Sequence, residues 1–160
     1  MIIAVVGGNV ASPELLAEAE AVGRELALRG CTLICGGRGG VMEAACRGAH
    51  SRGGHTIGVL PGPDRADMNA YVEFPIVTGM GQARNVIIAR TAEAVIAVGG
   101  AYGTLSEIAH ALNLGKPVIG LHTWRFSTEN IDDGSVIRAR DAEDAVEQAI
   151  AAARRHAGAV

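Results

Sequence analysis

The sequence predicts an α/β protein in three layers: a doubly wound parallel sheet with helices on both faces, formed by a single domain over residues 1–160. Short aliphatic runs alternate with helical segments along the chain, which is typical of right-handed strand–helix–strand crossovers. Only 3% of the residues are aromatic, so small aliphatic side chains must form the core. Such side chains suit helices that pack closely on a buried parallel sheet.

The amino-terminal segment predicts a strand and then a long helix. Ile2–Val6 is a short aliphatic run, which predicts a strand that ends at Gly7-Gly8. A helix is predicted over Pro13–Arg29, because Ser12 is a good N-cap and proline suits the first helical position. Gly30 is the predicted C-cap of this helix.

Strands and helices then alternate to the end of the chain, and glycine, proline or capping residues separate them. Residues 63–79 are polar and irregular, with at most one short strand near Val72–Val77. Asp141 is the predicted N-cap of the last helix. The remaining predicted elements are strand Thr32–Cys35, helix Val41–Ser51, strand His55–Leu60, helix Gly81–Thr91, strand Ala94–Val98, helix Leu105–Leu114, strand Pro117–Leu121, strand Val136–Arg138 and helix Ala142–His156.

Four turns with glycine follow predicted strands: Gly7-Gly8, Gly36–Gly40, Pro61-Gly62 and Gly99–Gly103. Ligands of open parallel sheets bind beyond the carboxyl ends of the strands. Glycine turns that lead into helices expose backbone N–H groups to phosphate. The sequence therefore predicts a small anionic ligand on this rim. The predicted binding residues of the turns are Gly7, Gly8, Gly37, Gly99, Gly100, Ala101, Tyr102, Gly103 and Thr104.

Glu107 is a candidate site residue with two interpretations. The pattern predicts a helix that begins at Thr104 or just after it, so Glu107 would lie in the first helical turn. Thr-Leu-Ser-Glu matches a capping box, in which Glu107 pairs with Thr104. The same geometry would aim the carboxylate at a ligand bound to the turn, so the motif leaves both interpretations open.

Arg84 is the second candidate. A helical projection places it between Ile87 and Ile88, on the inward side of the helix that begins near Gly81. Such an arginine either extends past the isoleucines to water or holds a phosphate or carboxylate at the site. Asn85 could add an amide contact to the same ligand.

Composition and missing motifs exclude several classes of function. The net charge of −3 and the lack of a basic cluster beyond Arg154-Arg155 argue against nucleic acid. No apolar run is long enough for a membrane span, and we expect a cytoplasmic protein. The three cysteines lack metal-ligand spacing, so we expect reduced core residues and no metal site. Dinucleotide, P-loop and serine-hydrolase motifs are absent, and the only lysine, Lys116, precedes a proline, which disfavours pyridoxal phosphate.

Five further side chains give weaker signals. His110 lies one turn beyond Glu107 and either tunes that carboxylate or packs, and His122 ends a strand on the ligand rim. Tyr102 either stacks on a ligand ring or covers the glycine loop. Trp124 and Phe126 are expected to form an exposed aromatic pair suited to a subunit contact.

Three segments resemble motifs of the Lonely Guy-like Rossmann superfamily, formerly labelled lysine decarboxylases. The two paired motifs of that family are similar to Gly79–Asn85 and Gly99–Glu107, and its second glycine loop is similar to Cys35–Met42. The chain looks most similar to its short bacterial branch, which is related to molybdenum cofactor carrier proteins. The resemblance implies a Rossmann-like fold, a phosphorylated ligand and a homo-oligomer, either a dimer or a tetramer. It also places Arg84 and Glu107 on the family's catalytic arginine and glutamate.

The resemblance leaves two functions open. The first is a binding or carrier protein for a phosphorylated pterin, the molybdenum cofactor, or for a nucleotide, without a catalytic cofactor. The second is a cytokinin riboside 5′-monophosphate phosphoribohydrolase, which cleaves the N-glycosidic bond of nucleoside monophosphates such as AMP. Asn85 and Ser106 replace a lysine and an acid of the family's enzymes and favour the first function, whereas Glu107 favours the second.

Overall fold

The computed structural model describes residues 1–127 and 133–158. In these ranges seven parallel strands form one sheet, and five α-helices connect or flank them. The strands are β1 (Ile2–Gly7), β2 (Thr32–Cys35), β3 (Thr56–Leu60), β4 (Phe74–Val77), β5 (Ala94–Val98), β6 (Val118–Leu121) and β7 (Val136–Arg138). The helices are α1 (Pro13–Leu28), α2 (Val41–His50), α3 (Asn85–Thr91), α4 (Tyr102–Asn113) and α5 (Ala142–Ala157).

The strand order is β4-β3-β2-β1-β5-β6-β7, which confirms the predicted doubly wound α/β fold. Strands β1 to β4 follow one another toward one edge of the sheet, and β5 then pairs with the other side of β1. In register, Val5 of β1 lies beside Ile96 of β5, and Ala4 lies beside Ile34 of β2. The direction of winding therefore reverses between β1 and β5, where ligand crevices of this architecture form.

Two apolar layers cover the two faces of the sheet. Successive residues of a strand point to opposite faces, so Ile3 and Val5 of β1 join the layer under α1, α2 and α5. Ala4 and Val6 join the layer under α3 and α4. All four side chains are buried. The core is therefore aliphatic on both faces, as the scarcity of aromatic residues predicts.

Helices α1 and α2 approach each other closely because glycine lies at their crossing. A Cβ added to Gly23 would overlap the carbonyl oxygen of Ala45, and one added to Gly48 would overlap that of Glu20. Only hydrogen fits at these two positions. The backbones of α1 and α2 are therefore in direct contact. The start of α2 is held beside the end of β1 by the hydrogen bond from the Val41 N–H to the Gly8 carbonyl.

The helix ends confirm two predicted caps and correct several boundaries. Ser12 accepts a hydrogen bond from the Leu15 N–H at 3.4 Å, and Asp141 accepts one from the Asp144 N–H at 2.9 Å. Gly30 is not the C-cap: Arg29 occupies that position, and Gly30 follows it with a φ of 68°. Strands β2, β5 and β7 have the predicted bounds, and the bounds of the other elements differ from the predicted ones by one or two residues, except near the candidate site.

Near the site, one predicted helix has two parts and one predicted helix start was wrong. The helical segment predicted over Gly81–Thr91 has these bounds, but its first turn, Gly81–Arg84, is a 3-10 helix and α3 follows it. Helix α4 begins at Tyr102 rather than at Thr104. The earlier start of α4 places Glu107 in the second turn of that helix rather than in the first.

The aromatic pair after β6 also differs from the expectation. Trp124 and Phe126 are only partly exposed and pack against the apolar layer under α3 and α4, so they do not form an exposed pair. Arg138 donates to the carbonyl oxygens of Thr123 and Trp124 and holds this segment against β7. In the part of the chain that the structure describes, no helix has the length and apolar composition needed to cross a membrane.

Candidate functional site

A cavity of about 200 Å³ opens at the carboxyl ends of β1 and β5, where the direction of winding reverses. Turns after β1, β2 and β5 form its walls, together with the 3-10 helix and the first residues of α3 and α4. The residues that line it are Gly7, Gly8, Asn9, Arg38, Met42, Gln82, Arg84, Asn85, Ala101, Gly103, Thr104 and Glu107.

The cavity brings together most of the residues predicted for the site. The predicted residues in its walls are Gly7, Gly8, Arg84, Asn85, Ala101, Gly103, Thr104 and Glu107. Gly37 and Gly99 do not line it. The Gly37 carbonyl accepts from the Asn69 N–H, and the Gly99 N–H donates to the Leu121 carbonyl. Gly100 also lies outside the lining, as does Tyr102, whose exposed ring stands 6.0 Å from the ring of Trp124.

Glu107 does not belong to a capping box. Ala101 is the N-cap of α4 and no side chain caps that helix, so Glu107 lies in the second turn. Glu107 is 6% exposed and lines the cavity. The capping interpretation of Glu107 is therefore wrong, and the interpretation in which the carboxylate faces the site fits its position.

Arg84 is 5% exposed, which confirms that it faces inward rather than extending to water. Its Nη1 donates to Asn85 Oδ1 and to Glu107 Oε1, the latter at 3.4 Å. Asn85 in turn donates to the Gly103 carbonyl at 3.5 Å. These contacts join the start of α3 to the start of α4. The Nε of Arg84 is buried and has no hydrogen-bond partner among the described residues.

The close approach of Arg84 to the second glycine loop explains its orientation. A Cβ on Gly36 would overlap Arg84 Nη2 and would come within 2.8 Å of Met42 Sδ. The missing side chain of Gly36 thus leaves the space in which the guanidinium lies. The glycine loop after β2 and the arginine from the 3-10 helix are complementary in shape, although they are distant in sequence.

Burial dominates the electrostatics of the Arg84–Glu107 pair. Loss of water raises the pKa of Glu107 to about 7, and the positive charge of Arg84 opposes this shift. Burial also lowers the pKa of Arg84, while the charge of Glu107 raises it. A carboxyl group with a pKa near 7 exchanges protons readily at neutral pH, and it pairs only incompletely with Arg84 under those conditions.

Four residues of the cavity were not predicted: Asn9, Arg38, Met42 and Gln82. The sequence could have indicated Arg38 as a site residue, since it is the one residue of the Gly36–Gly40 loop that is not glycine. Gln82 also lies inside a motif, between Gly79 and Asn85. Met42 likewise ends the Cys35–Met42 segment. Asn9 lies outside the three motif segments, although it follows Gly7-Gly8 directly.

The remaining candidates lie away from the cavity. His110 is exposed on α4. His122 has a φ of 48° and contacts Glu18 Oε1 through Nε2 at 3.1 Å. Cys31, Cys35 and Cys46 are free and buried, as predicted. Within residues 1–127 and 133–158, no group of three or more histidine, cysteine, aspartate or glutamate side chains could hold a metal ion.

Comparisons with known proteins agree with the motifs. Residues 1–149 match the model of the SLOG cluster4 family. A protein of Archaeoglobus fulgidus is 47% identical over 122 residues, which are 76% of this chain and 80% of that protein. The cytokinin riboside 5′-monophosphate phosphoribohydrolase LOG of Oryza sativa subsp. japonica is 34% identical over 115 residues, or 69% of this chain. The chain matches only 46% of the length of this rice protein.

Two solved structures are similar over nearly their whole length. The molybdenum cofactor binding protein of Rippkaea orientalis has a TM-score of 0.86 and 38% identity, over 94% of this chain and 95% of that chain. The molybdenum cofactor carrier protein of Chlamydomonas reinhardtii has a TM-score of 0.81 and 37% identity, over 94% and 96%. The chain therefore belongs to the SLOG cluster4 family, within the Lonely Guy-like superfamily that its paired motifs indicate.

Proposed function

We propose that this protein binds and carries a phosphorylated pterin, the molybdenum cofactor, or a nucleotide. The observation that carries the proposal is the cavity at the reversal point, which the buried Arg84 lines opposite the uncapped start of α4. Two solved structures of similar fold are named as proteins that bind or carry the molybdenum cofactor, which supports the first of the two ligands.

The start of α4 is the proposed position of the phosphate. Ala101, Gly103 and Thr104 line the cavity there, and no side chain caps the helix. The N–H groups of a first helical turn have no partner inside the helix, and the helix dipole adds partial positive charge. Phosphate oxygens would satisfy these donors, the Thr104 hydroxyl would add another, and Arg84 would supply the countercharge.

Titration calorimetry with AMP and with molybdenum cofactor released from a molybdenum enzyme tests the proposal. Replacement of Arg84 by glutamine should weaken binding by about 1.5–3 kcal/mol, the usual loss for a charged hydrogen bond. Arg52→Gln is the matched control, because it removes the same charge from an exposed position after the far end of α2. Failure of both ligands to bind, or equal affinity in the Arg84 variant and the wild type, would contradict the proposal.

A second candidate function is hydrolysis of the N-glycosidic bond of a nucleoside 5′-monophosphate. The observation in its favour is the Arg84–Glu107 contact of 3.4 Å, with the pKa of Glu107 raised to about 7 by burial. A carboxyl group of this kind can stabilise developing positive charge on the ribose or transfer a proton near neutral pH. The rice phosphoribohydrolase is similar over 69% of this chain, which supports the candidate.

An assay that measures the release of adenine from AMP by chromatography separates the two functions. The carrier function predicts binding of AMP with little or no adenine release. Turnover of about 1 per second or more would contradict it. Glu107→Gln is the decisive variant: if it still binds AMP but has lost all turnover, Glu107 is catalytic.

We further propose that the chain works as a homo-oligomer of single-domain subunits. Edge strand β4 exposes Phe74, Ile76 and Val77 by 40–50%, and Met80 after it by 46%. A cluster of this kind is typical of a surface that another protein chain covers. Sedimentation at micromolar concentration tests the proposal, and a stable monomer of 16.4 kDa would contradict it.

A further inference from the structure

Two thiols lie directly against each other beside the glycine loop that follows β2. Cys35 is the last residue of β2, and Cys46 lies in the middle of α2. Their Sγ atoms are 3.5 Å apart, and both side chains are fully buried. The thiol of Cys31 lies instead against the Arg29 carbonyl, at 3.9 Å. Cys35 and Cys46 therefore form a close thiol pair at the junction of β2 and α2.

The two thiols of this pair differ in their hydrogen bonds. The Gly37 N–H donates to Cys35 Sγ at 3.3 Å, so Cys35 is the acceptor and Cys46 is the donor of the bond between the thiols. The hydrogen bond from Cys46 lowers the pKa of Cys35, and the Gly37 N–H adds to this effect. The same bond and burial raise the pKa of Cys46. Since the thiolate is the reactive form of cysteine, Cys35 is the nucleophile of the pair.

Met42 separates the thiol pair from the cavity. It lies one turn before Cys46 on the same side of α2, and it lines the cavity. Its Sδ is 2.8 Å from the position of a Cβ on Gly36, the residue after Cys35. A methionine side chain has three rotatable bonds and adapts its conformation readily. A change in the Met42 rotamer therefore opens a path from the cavity to the thiols for a molecule as small as hydrogen peroxide.

We propose that Cys35 and Cys46 are a redox-active pair, which hydrogen peroxide converts into a reversible disulfide. The Cys35 thiolate attacks one peroxide oxygen, the O–O bond breaks, and the hydroxide that leaves takes up the proton lost by the Cys35 thiol. The Cys46 sulfur then attacks the sulfenic acid on Cys35. The S–S bond forms, the S–O bond breaks, and the oxygen leaves as water with the Cys46 proton. Two thiols are oxidised, and one peroxide is reduced to two water molecules.

The disulfide would act on the cavity through Gly36. An S–S bond is about 2.0 Å long, so the two sulfur atoms must approach each other by about 1.5 Å. Gly36 follows Cys35 and has no spare room toward Arg84, because a Cβ there would overlap Arg84 Nη2. A shift at the end of β2 therefore displaces the Arg84 guanidinium. This effect on binding rests on the proposed function, whereas the disulfide itself does not.

Peptide mapping by mass spectrometry tests the disulfide in the folded wild type. The protein is treated with hydrogen peroxide without denaturant, and its free thiols are then alkylated in denaturant. We expect a disulfide between Cys35 and Cys46 that dithiothreitol reverses, and a free Cys31. Cys31→Ala is the matched control and should form the same disulfide. Cys46→Ala should instead accumulate sulfenic or sulfinic acid on Cys35, because no second thiol is in reach.

Free thiols at both Cys35 and Cys46 after this treatment, or a disulfide that involves Cys31, would overturn the redox pair. The wild-type map decides this without any substitution. Calorimetry with AMP then tests the link to the cavity: the disulfide form should bind about tenfold more weakly than the reduced form, as expected when a charged hydrogen bond is weakened. Equal affinities would overturn the link alone. Failure of both forms to bind AMP would overturn the proposed function and the link with it, while the peptide map still decides the disulfide.

Discussion

Replacement of Glu107 by glutamine should change how the stability of the protein depends on pH. Burial raises the pKa of Glu107 from its usual 4.5 to about 7 in the folded chain. Between these values the folded state binds more protons than the unfolded state, so the free energy of unfolding decreases as the pH rises. The stabilisation linked to this proton is complete below pH 4.5 and is lost as the pH rises through about 7.

The magnitude follows from the size of the shift. At about 1.4 kcal/mol per pKa unit, the wild type should lose about 3 kcal/mol between acidic and alkaline pH through this one group. Glutamine has nearly the same shape and does not titrate. Relative to the wild type, Glu107→Gln should therefore gain about 3 kcal/mol in unfolding free energy between about pH 5 and pH 9.

Urea unfolding at a fixed protein concentration, at several pH values, measures this difference. Other titrating groups contribute equally to both proteins and cancel in the comparison. Glu147→Gln is the matched control, since it makes the same substitution at an exposed position on α5. A constant difference for Glu107→Gln across the same range would refute the reasoning. It would mean that Arg84 keeps Glu107 ionised throughout.

Three further outcomes are expected. Gly36→Ala should weaken AMP binding at least tenfold in calorimetry, because its Cβ would overlap Arg84 Nη2. Asp141→Ala should lower the unfolding free energy by about 1 kcal/mol in urea, through loss of the cap on the Asp144 N–H, and unchanged stability would contradict this. Ile76→Lys should shift the sedimentation coefficient toward that of a monomer, because it places a charge on the apolar edge strand.

Much of the fold could be predicted because its signals are local. Ala94–Val98 is a continuous apolar run between Glu93 and Gly99, and β5 has these same bounds. Asp141 caps α5 through a neighbour only three residues away. The start of α4 could not be predicted in the same way. The side chain of Ala101 forms no cap on this helix. Gly99 and Gly100 both have positive φ, and the backbone path through them determines where the helix begins.

The sequence by itself determined the fold class, the family and the rim on which the candidate site lies, since alternating periodicity and glycine turns are properties of short segments. Tertiary structure decided which side chains share the cavity. Arg84 and Glu107 are 23 residues apart and meet because α3 and α4 lie under the same face of the sheet. Arg38 reaches them from β2, because the strand order places β2 beside β1. Burial of the pair, and with it the raised pKa of Glu107, exists only when these elements pack and exclude water.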